Sequence, residues 1–354
     1  MKARRMGIFS TVMLVFWALL SNVWGVERKP ATLAELAAYT GADREQVLLA
    51  GAKAEGKVVW YTTLTGGPDQ AIPKAFEAKY PGVKVETYRG TARDVMAKIA
   101  AETQAKRFLL DTLEGTLPIL KAMRDESLLM PYTAPKIARL PSIAKERAEK
   151  GLFSWATVRE SYVSLSYNKN VIPAAAVPKS FDDLLNPALK GKLAFTTSDT
   201  GSRVIGTMLK FKGEDYLKKL KNQDISLHAV SARALLDMVV SGEVGASPTT
   251  FRAQAIVSMG KGAPISWVPM EVVTTSMGGV AISSRAPHPH GSVLFLDFIL
   301  SPECEKILEK YGLDGPAENP GFNRWYPEEG LNTDQYEEAS MNWDKALRQL
   351  SRRK

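Results

Sequence analysis

The sequence predicts an α/β fold of two lobes, with mainly parallel sheets, helices on both faces of each sheet and a cleft between the lobes. Strand and helix patterns alternate along the chain and then alternate again, which favours parallel strands covered by helices. The length of 354 residues exceeds what one hydrophobic core normally serves. Ligands favour domain interfaces and the carboxyl ends of strands, so we expect a binding site in the cleft.

Residues 1–25 have the pattern of a secretory signal peptide. The basic stretch MKARR precedes the apolar stretch GIFSTVMLVFWALL, and SNVWG follows. We expect cleavage after Gly25, a mature chain that begins at Val26, and a location in the bacterial periplasm. The alternative is a membrane anchor, but the apolar run is shorter than the about 20 residues that a span needs.

Charge and cysteine content narrow the function classes. The net charge is +8, and it becomes +5 (8 − 3) without the three basic residues of the leader. The basic residues are scattered and are not interleaved with aromatic residues, which argues against nucleic-acid binding and slightly favours anionic small ligands. Cys304 is the single cysteine, so the chain forms no internal disulfide.

The first α/β unit follows a helical segment within residues 26–56. Its strand patterns are KVVWYTT, PGVKVETY and FLLDTLEG. Its helix patterns are DQAIPKAFEAKY, TARDVMAKIAAET and LPILKAMRDESLL.

The second unit begins with the strand pattern ESYVSLSYN. Further strands are predicted at KLAFT, ISLHAV, VGAS, PISWVPM and SMGGVAISS. The intervening helices are predicted to begin at Val204, Gly213, Ser231 and Phe251, and HGSVLFLDFIL forms a later one. Residues 316–341 are predicted to be loop-like, with a terminal helix from Asn342.

Six segments carry a family resemblance. They are VVWYTTLTG, AFEAKYPGVKVETYRGTARDVMAKI, YNKNVIP, PKSFDDLLNPALKGKLAF, SGEVG and GVAISSRAPHPHGSVLFLDFILSPECEKILEKYG. In this order the chain resembles type II extracellular solute-binding proteins of ABC importers, in the branch that includes ferric-iron-binding proteins. The resemblance implies two lobes that close on a solute, a membrane permease that receives the solute, and crossover strands near 162–167 and 272–281.

The domain boundaries that follow are expectations of the same kind. Lobe 1 is predicted to comprise 57–165 and 272–315, and lobe 2 to comprise 166–271. Residues 316–354 form a C-terminal tail. We expect a monomer without a cofactor.

The chain departs from the ferric members at the metal site. Those members bind iron through two adjacent tyrosines, and Thr250 and Phe251 stand at the matching positions. Ferric members often carry a histidine at the end of the first strand, where this chain reads TTLTG. We therefore expect no direct coordination of iron. His288, Pro289 and His290 are interpreted as a turn into a helix, because structural zinc needs four closely spaced ligands.

Hydroxyl groups, glycines and one acid lie where strands are predicted to end. Hydroxyls and free backbone N–H groups at helix N-termini can hold an anion without reacting with it. The candidate ligand-binding residues are Thr62, Thr63, Arg89, Gly90, Thr91, Glu114, Thr197, Ser198, Thr200, Gly201, Ser202, Ser231, Thr249 and Thr250. Arg203 and Arg252 lie near them in the sequence. Residues 197–202 are expected to hold an anionic group such as a carboxylate or phosphonate. We expect Thr200→Val to weaken binding roughly tenfold and Gly201→Val to abolish it, both with little loss of folding.

Other interpretations remain open at the level of sequence. Ser and Thr at these positions are also ordinary N-caps. A secreted hydrolase or lyase could use cleft carboxylates such as Glu114 and Asp199, although the short motifs of known catalytic classes are absent. An adaptor that senses a ligand would share the fold.

Overall fold

The computed structural model describes residues 30–316 and 320–350, so the predicted leader and its cleavage site lie outside the described residues. The α-helices are α1 (Leu33–Ala38), α2 (Arg44–Glu55), α3 (Pro68–Lys79), α4 (Ala92–Gln104), α5 (Leu117–Asp125), α6 (Asp199–Lys212), α7 (Glu214–Leu220), α8 (Ala232–Ser241), α9 (Arg252–Gly260), α10 (Pro289–Ile299), α11 (Pro302–Lys310) and α12 (Thr333–Arg348). The strands are β1 (Lys57–Thr62), β2 (Lys84–Arg89), β3 (Thr112–Thr116), β4 (Leu129–Met130), β5 (Lys145–Arg147), β6 (Phe153–Asn168), β7 (Ala194–Thr196), β8 (Ser226–His228), β9 (Ala246–Phe251), β10 (Ile265–Val268), β11 (Val273–Ser283) and β12 (Arg324–Trp325).

One large curled sheet runs through most of the molecule in the order β10-β6-β11-β3-β1-β2. Strands β2, β1 and β3 are parallel, as the strand–helix alternation predicts. Strands β7 and β8 form a second parallel pair. The long strands β6 and β11 instead run antiparallel to each other, and β11 also runs antiparallel to β3.

Hydrophobic cores lie toward both ends of strand β6. One contains Trp60 of β1, Phe76 of α3 and Phe295 of α10, all fully buried. Another contains Phe195 of β7 and Leu220 of α7. Strand β6 reaches from one core to the other, because it pairs with β5 at one end and with β9 and β10 at the other.

Two carboxylates cap the start of α10 and explain its two histidines. Asp111 accepts from the backbone N–H of His288 at 2.8 Å and contacts its Nδ1 at 2.7 Å. Glu55 meets His290 in the same way, at 3.0 and 2.8 Å. Negative charge is favourable at a helix N-terminus. Burial raises the pKa of the Asp111 carboxyl to about 6, although its hydrogen bonds and His288 act in the opposite direction.

The C-terminal segment is more regular than the sequence suggests. Helix α12 begins at Thr333, nine residues (342 − 333) before the predicted start, so the loop prediction was wrong for this part. Trp343 and Leu347 on α12 lie against Gly206 and Gly201 on α6. Because most residues of α12 are polar, the sequence did not indicate this helix, whose buried side faces lobe 2.

Candidate functional site

The registers of two long strands locate a cleft between the lobes. Strand β3 ends at Thr116, opposite Gly278 of β11, and Gly278 also pairs with Arg159 of β6. Strand β9 of the other lobe ends at Phe251, opposite Val163 of β6. The carboxyl ends from both lobes therefore approach one stretch of β6 from opposite sides. Arg159 and Val163 are four residues apart (163 − 159), which is about 13 Å at 3.3 Å per residue.

The two faces of this stretch differ in what covers them. Ser161 on β6 pairs with Ser276 on β11, and both are half-buried. The intervening side chains point to the other face, where Glu160 and Tyr162 are 2% and 3% exposed. The C-terminal segment covers that second face, since the hydroxyl of Tyr326 donates to Glu160. The cleft therefore opens on the face that carries Ser161 and Ser276.

A buried ion pair lies at the lobe 1 edge of the cleft. Glu114 Oε1 lies 2.7 Å from Arg159 Nη2 and accepts from Arg159 Nε at 2.9 Å. Glu114 Oε2 accepts from the Thr62 hydroxyl at 2.8 Å and from the backbone N–H and hydroxyl of Thr63 at 3.1 and 3.2 Å. The side chains of Glu114 and Arg159 are 0% and 8% exposed. Since both carboxylate oxygens are occupied, this cluster presents donors to the cleft.

Three candidates, Thr62, Thr63 and Glu114, are thus brought together, and the sequence analysis missed their fourth member, Arg159. The predicted strand began at Glu160, whereas β6 begins at Phe153. The available signal was the charged pair Arg159-Glu160 inside a run of strand-forming residues, because charges inside a strand need partners.

The predicted loop at 197–202 is largely the first turn of a helix. Helix α6 begins at Asp199 rather than near Val204, so the predicted start of this helix was wrong. The N–H groups of Gly201 and Ser202 already donate to the Ser198 carbonyl, at 2.9 and 3.2 Å. Among the described residues, the backbone N–H groups of Asp199 and Thr200 have no backbone acceptor, so they can donate to a ligand. Thr197, Ser198 and Thr200 are half-buried around them.

Gly201 is required by packing. A Cβ at this position would lie 1.8 Å from the Thr196 carbonyl oxygen and 3.1 Å from Leu347. The expectation that Gly201→Val spares the fold is therefore wrong. Ser202 is also buried, and its hydroxyl lies 3.4 Å from Asp344 on α12.

Thr249 and Thr250 lie inside strand β9, so the prediction of a loop here was wrong. Both are fully buried. The Thr249 hydroxyl accepts from the backbone N–H of Thr196 at 3.1 Å, and the Thr250 hydroxyl donates to Ser166 at 2.7 Å. These hydroxyls join the strands of lobe 2 to one another.

The remaining candidates lie at other strand ends. Thr91 forms a capping box at the start of α4, and Ser231 caps α8 by accepting from a backbone N–H at 3.2 Å. Gly90 is buried, and its backbone N–H donates to the carbonyl oxygen of Thr62 at 3.2 Å. Arg89 is exposed, and its Nε lies 3.4 Å from the Leu64 carbonyl oxygen. Thr91 and Ser231 thus have the capping role that the alternative interpretation gave them.

The arginines near the predicted loops have acidic partners outside the cleft face. Arg203 on α6 lies 2.5 Å from Glu328 of the C-terminal segment. Arg252, the first residue of α9, lies 2.7 Å from Asp314. Arg203 thus links lobe 2 to the C-terminal segment, and Arg252 links lobe 2 to the last residues of the predicted lobe 1.

Phenol groups beside the long strands remain protonated at neutral pH. The hydroxyls of Tyr162 and Tyr326 both donate to Glu160, and burial raises the pKa of each phenol. Burial also raises the pKa of Tyr336 to about 12, against the lowering effect of Arg203. Within residues 30–316 and 320–350, no group of three or more His, Cys, Asp and Glu side chains is placed to hold a metal ion.

Comparison with known proteins defines the class. A family model described as bacterial extracellular solute-binding protein matches residues 116–332, which is more than half of the chain. The chain belongs to this family of solute-binding proteins. A relative from Haemophilus influenzae, described as an uncharacterized protein, is 24% identical over 74% of this chain and 78% of its own length.

Solved structures confirm the two-lobed fold. Iron-bound HitA from Pseudomonas aeruginosa is 20% identical with a TM-score of 0.65, and covers 82% of this chain and 99% of its own. AfuA from Actinobacillus pleuropneumoniae, with fructose-6-phosphate bound, is 22% identical with a TM-score of 0.66, over 83% and 99%. The substrate-binding protein of an ABC transporter from Agrobacterium tumefaciens is 14% identical with a TM-score of 0.70, over 85% and 96%. At these identities the likeness establishes the fold.

In the part of the chain that the structure describes, no helix has both the length and the apolar character to cross a bilayer.

Proposed function

We propose that this protein is the substrate-binding component of an ABC importer and captures a small anionic solute between its lobes. The family match and the likeness to the Agrobacterium tumefaciens protein support the transport role. The proposal includes cleavage after Gly25, a periplasmic location, a monomeric state and delivery of the solute to a permease in the inner membrane. Lobe 1 comprises 57–165 and 272–315, and lobe 2 comprises 166–271.

The observation that carries the anionic class is the surplus of donors on both walls of the cleft. The start of α6 offers the N–H groups of Asp199 and Thr200, beside the hydroxyls of Thr197 and Ser198. Two free N–H groups at the positive end of a helix are a suitable anion site. The Asp199 carboxylate is exposed, so water and salt weaken its repulsion of an anion.

The same geometry supports release of the solute without chemical change. Glu114 was one of the two carboxylates, with Asp199, that the sequence offered to a hydrolase or lyase. Its two oxygens accept from Thr62, Thr63 and Arg159, and its side chain is 0% exposed. A general base needs an accessible oxygen within hydrogen-bond reach of the substrate proton. Glu114 lacks such an oxygen in this arrangement.

Thermal melts with three probes test the proposal. A ligand that binds the folded state raises the melting temperature. We expect citrate or fructose 6-phosphate to raise it and the diamine putrescine to leave it unchanged. We expect Thr200→Val to weaken binding of the active anion tenfold, equivalent to about 1.4 kcal/mol. The control is Thr87→Val, which changes an exposed threonine on β2.

Two outcomes would contradict the proposal. Stabilisation by putrescine without stabilisation by either anion would exclude the anionic class. Equal binding by the parent and Thr200→Val would place the anion away from the start of α6.

A further inference from the structure

The guanidinium group of Arg159 has one edge that its partners within the protein leave largely open. Nε and Nη2 face Glu114, and Nη2 also donates to the Thr63 hydroxyl at 3.2 Å. Nη1 carries two N–H donors, and its contact is with the Ser161 hydroxyl at 3.4 Å. That distance is long for a hydrogen bond. Nη1 and Ser161 therefore retain hydrogen-bonding capacity.

Gly278 leaves room for the guanidinium group of Arg159. It lies on β11 between the strands of Arg159 and Glu114, and a Cβ on it would lie 2.5 Å from Arg159 Cζ. The guanidinium group therefore lies directly over the glycine. Its Nη1 is the nitrogen next to the Ser161 hydroxyl, so Nη1 lies on the face of the sheet that carries Ser161 and Ser276.

A neighbouring ion pair shows what a purely structural arrangement looks like in the same strand. Glu160 is the next residue of β6, and it lies 3.0 Å from Arg324 Nη1 on the opposite face. Glu160 also accepts from Tyr162 and Tyr326, and this cluster ties the C-terminal segment to β6. The two pairs match in exposure, at 8% and 0% for Arg159 and Glu114 and 10% and 1% for Arg324 and Glu160. The Arg159 pair lies on the other face of β6, which carries the half-buried Ser161 and Ser276.

We propose that Arg159 contacts the solute directly, through Nη1 and with the Ser161 hydroxyl, and binds an oxygen of a carboxylate or phosphate group. The inference rests on the proposed function and deepens it, because it assigns the lobe 1 side of the same site. Both carboxylate oxygens of Glu114 already accept hydrogen bonds, so Glu114 does not compete with the solute for the Nη1 donors of Arg159. A guanidinium group held by a carboxylate is preorganised, so little side-chain freedom is lost when the anion binds.

Calorimetric titration of citrate and of fructose 6-phosphate into three proteins tests the proposal. The proteins are the parent, Arg159→Lys and the matched control Arg324→Lys. Lysine keeps the charge that balances the buried glutamate but cannot present a second edge. We expect Arg159→Lys to lower the affinity for the anion that binds at least tenfold. The affinity of Arg324→Lys should stay within twofold of that of the parent. Melting temperatures of the two variants should fall by similar amounts.

Ser161→Ala provides a second variant that should fold even if Arg159→Lys does not, because the serine is half-buried and its contact is long. We expect Ser161→Ala to lower the affinity for the anion that binds about threefold, which is within the usual effect of one lost hydrogen bond. Parent-like affinity in both Arg159→Lys and Ser161→Ala would overturn this inference and leave the proposed function intact. Equal losses in Arg159→Lys and Arg324→Lys would also overturn it, because the effect would then come from stability. Binding of putrescine instead of either anion would overturn the proposed function and this inference together.

Discussion

Gly201 lies where helix α6 passes closest to strand β7. The gap to the Thr196 carbonyl oxygen leaves no room for a methyl group, as the 1.8 Å Cβ distance shows. Gly201→Ala should therefore lower the free energy of unfolding by about 1–3 kcal/mol, the usual cost of overpacking. Urea unfolding followed by circular dichroism measures this.

Gly260 provides the matched control for that substitution. It ends helix α9, and no atom lies within 4 Å of its Cβ position. Gly260→Ala should leave stability unchanged or raise it by up to about 1 kcal/mol. Equal stability of Gly201→Ala and the parent would show that α6 does not pack on β7 in this way.

The sequence showed which strand ends carry hydroxyl or charged side chains, but it did not show which partners those side chains bind. The hydroxyl of Thr250 was recognisable as polar, but its partner Ser166 is 84 residues away in the sequence. Arg159 was missed for the same reason, since Glu114 is 45 residues away. Hydrogen-bond partners across strands depend on register, and a single sequence does not specify register.

At the scale of elements, helix α12 of the C-terminal segment packs on α6. Trp343 is 9% exposed and packs on Gly206, and its ring meets those of Trp325 and Tyr336 edge-on. Trp343→Ala should lower the free energy of unfolding by about 3–5 kcal/mol, as expected for removal of a buried aromatic side chain.

Met341 on the same helix is the control, because it is 66% exposed. Met341→Ala should change the free energy of unfolding by less than about 0.5 kcal/mol. Differential scanning calorimetry of both variants compares them directly. A Trp343→Ala protein as stable as the Met341→Ala protein would contradict the packing of α12 on α6.

Element prediction succeeded where periodicity was strong and failed where packing decided. The positions of strands β1 and β2 and of helices α3 and α4 agree with the prediction from the apolar pattern. Helix α12 escaped notice because its first half is mostly polar, with acidic residues such as Glu337 and Glu338 exposed. Strand β6 was predicted short because Arg159 and Glu160 interrupt its apolar run.

At the scale of the whole molecule, the order of strands explains how strand ends from both lobes reach one stretch of β6. Strands β6 and β11 pair with each other from Ala156 to Val163, along the stretch of β6 that joins the two cores. In the site that we propose, lobe 1 contributes the Arg159 cluster and lobe 2 contributes the start of α6. The strand–helix alternation predicted two α/β units, and the family resemblance implied how they join. The register that brings the end of β3 near Arg159 and the end of β9 opposite Val163 required the structure.

The central claim is that the protein holds one small anionic solute between its lobes. Native mass spectrometry tests it most directly, after ligand-free protein is incubated with a bacterial small-molecule extract. We predict a single adduct in the mass range of a small molecule, with one molecule per chain, that is recovered as an anion on release and is depleted in Arg159→Lys and Thr200→Val. Recovery of a polyamine or another cation, or no adduct on the parent protein, would contradict the claim.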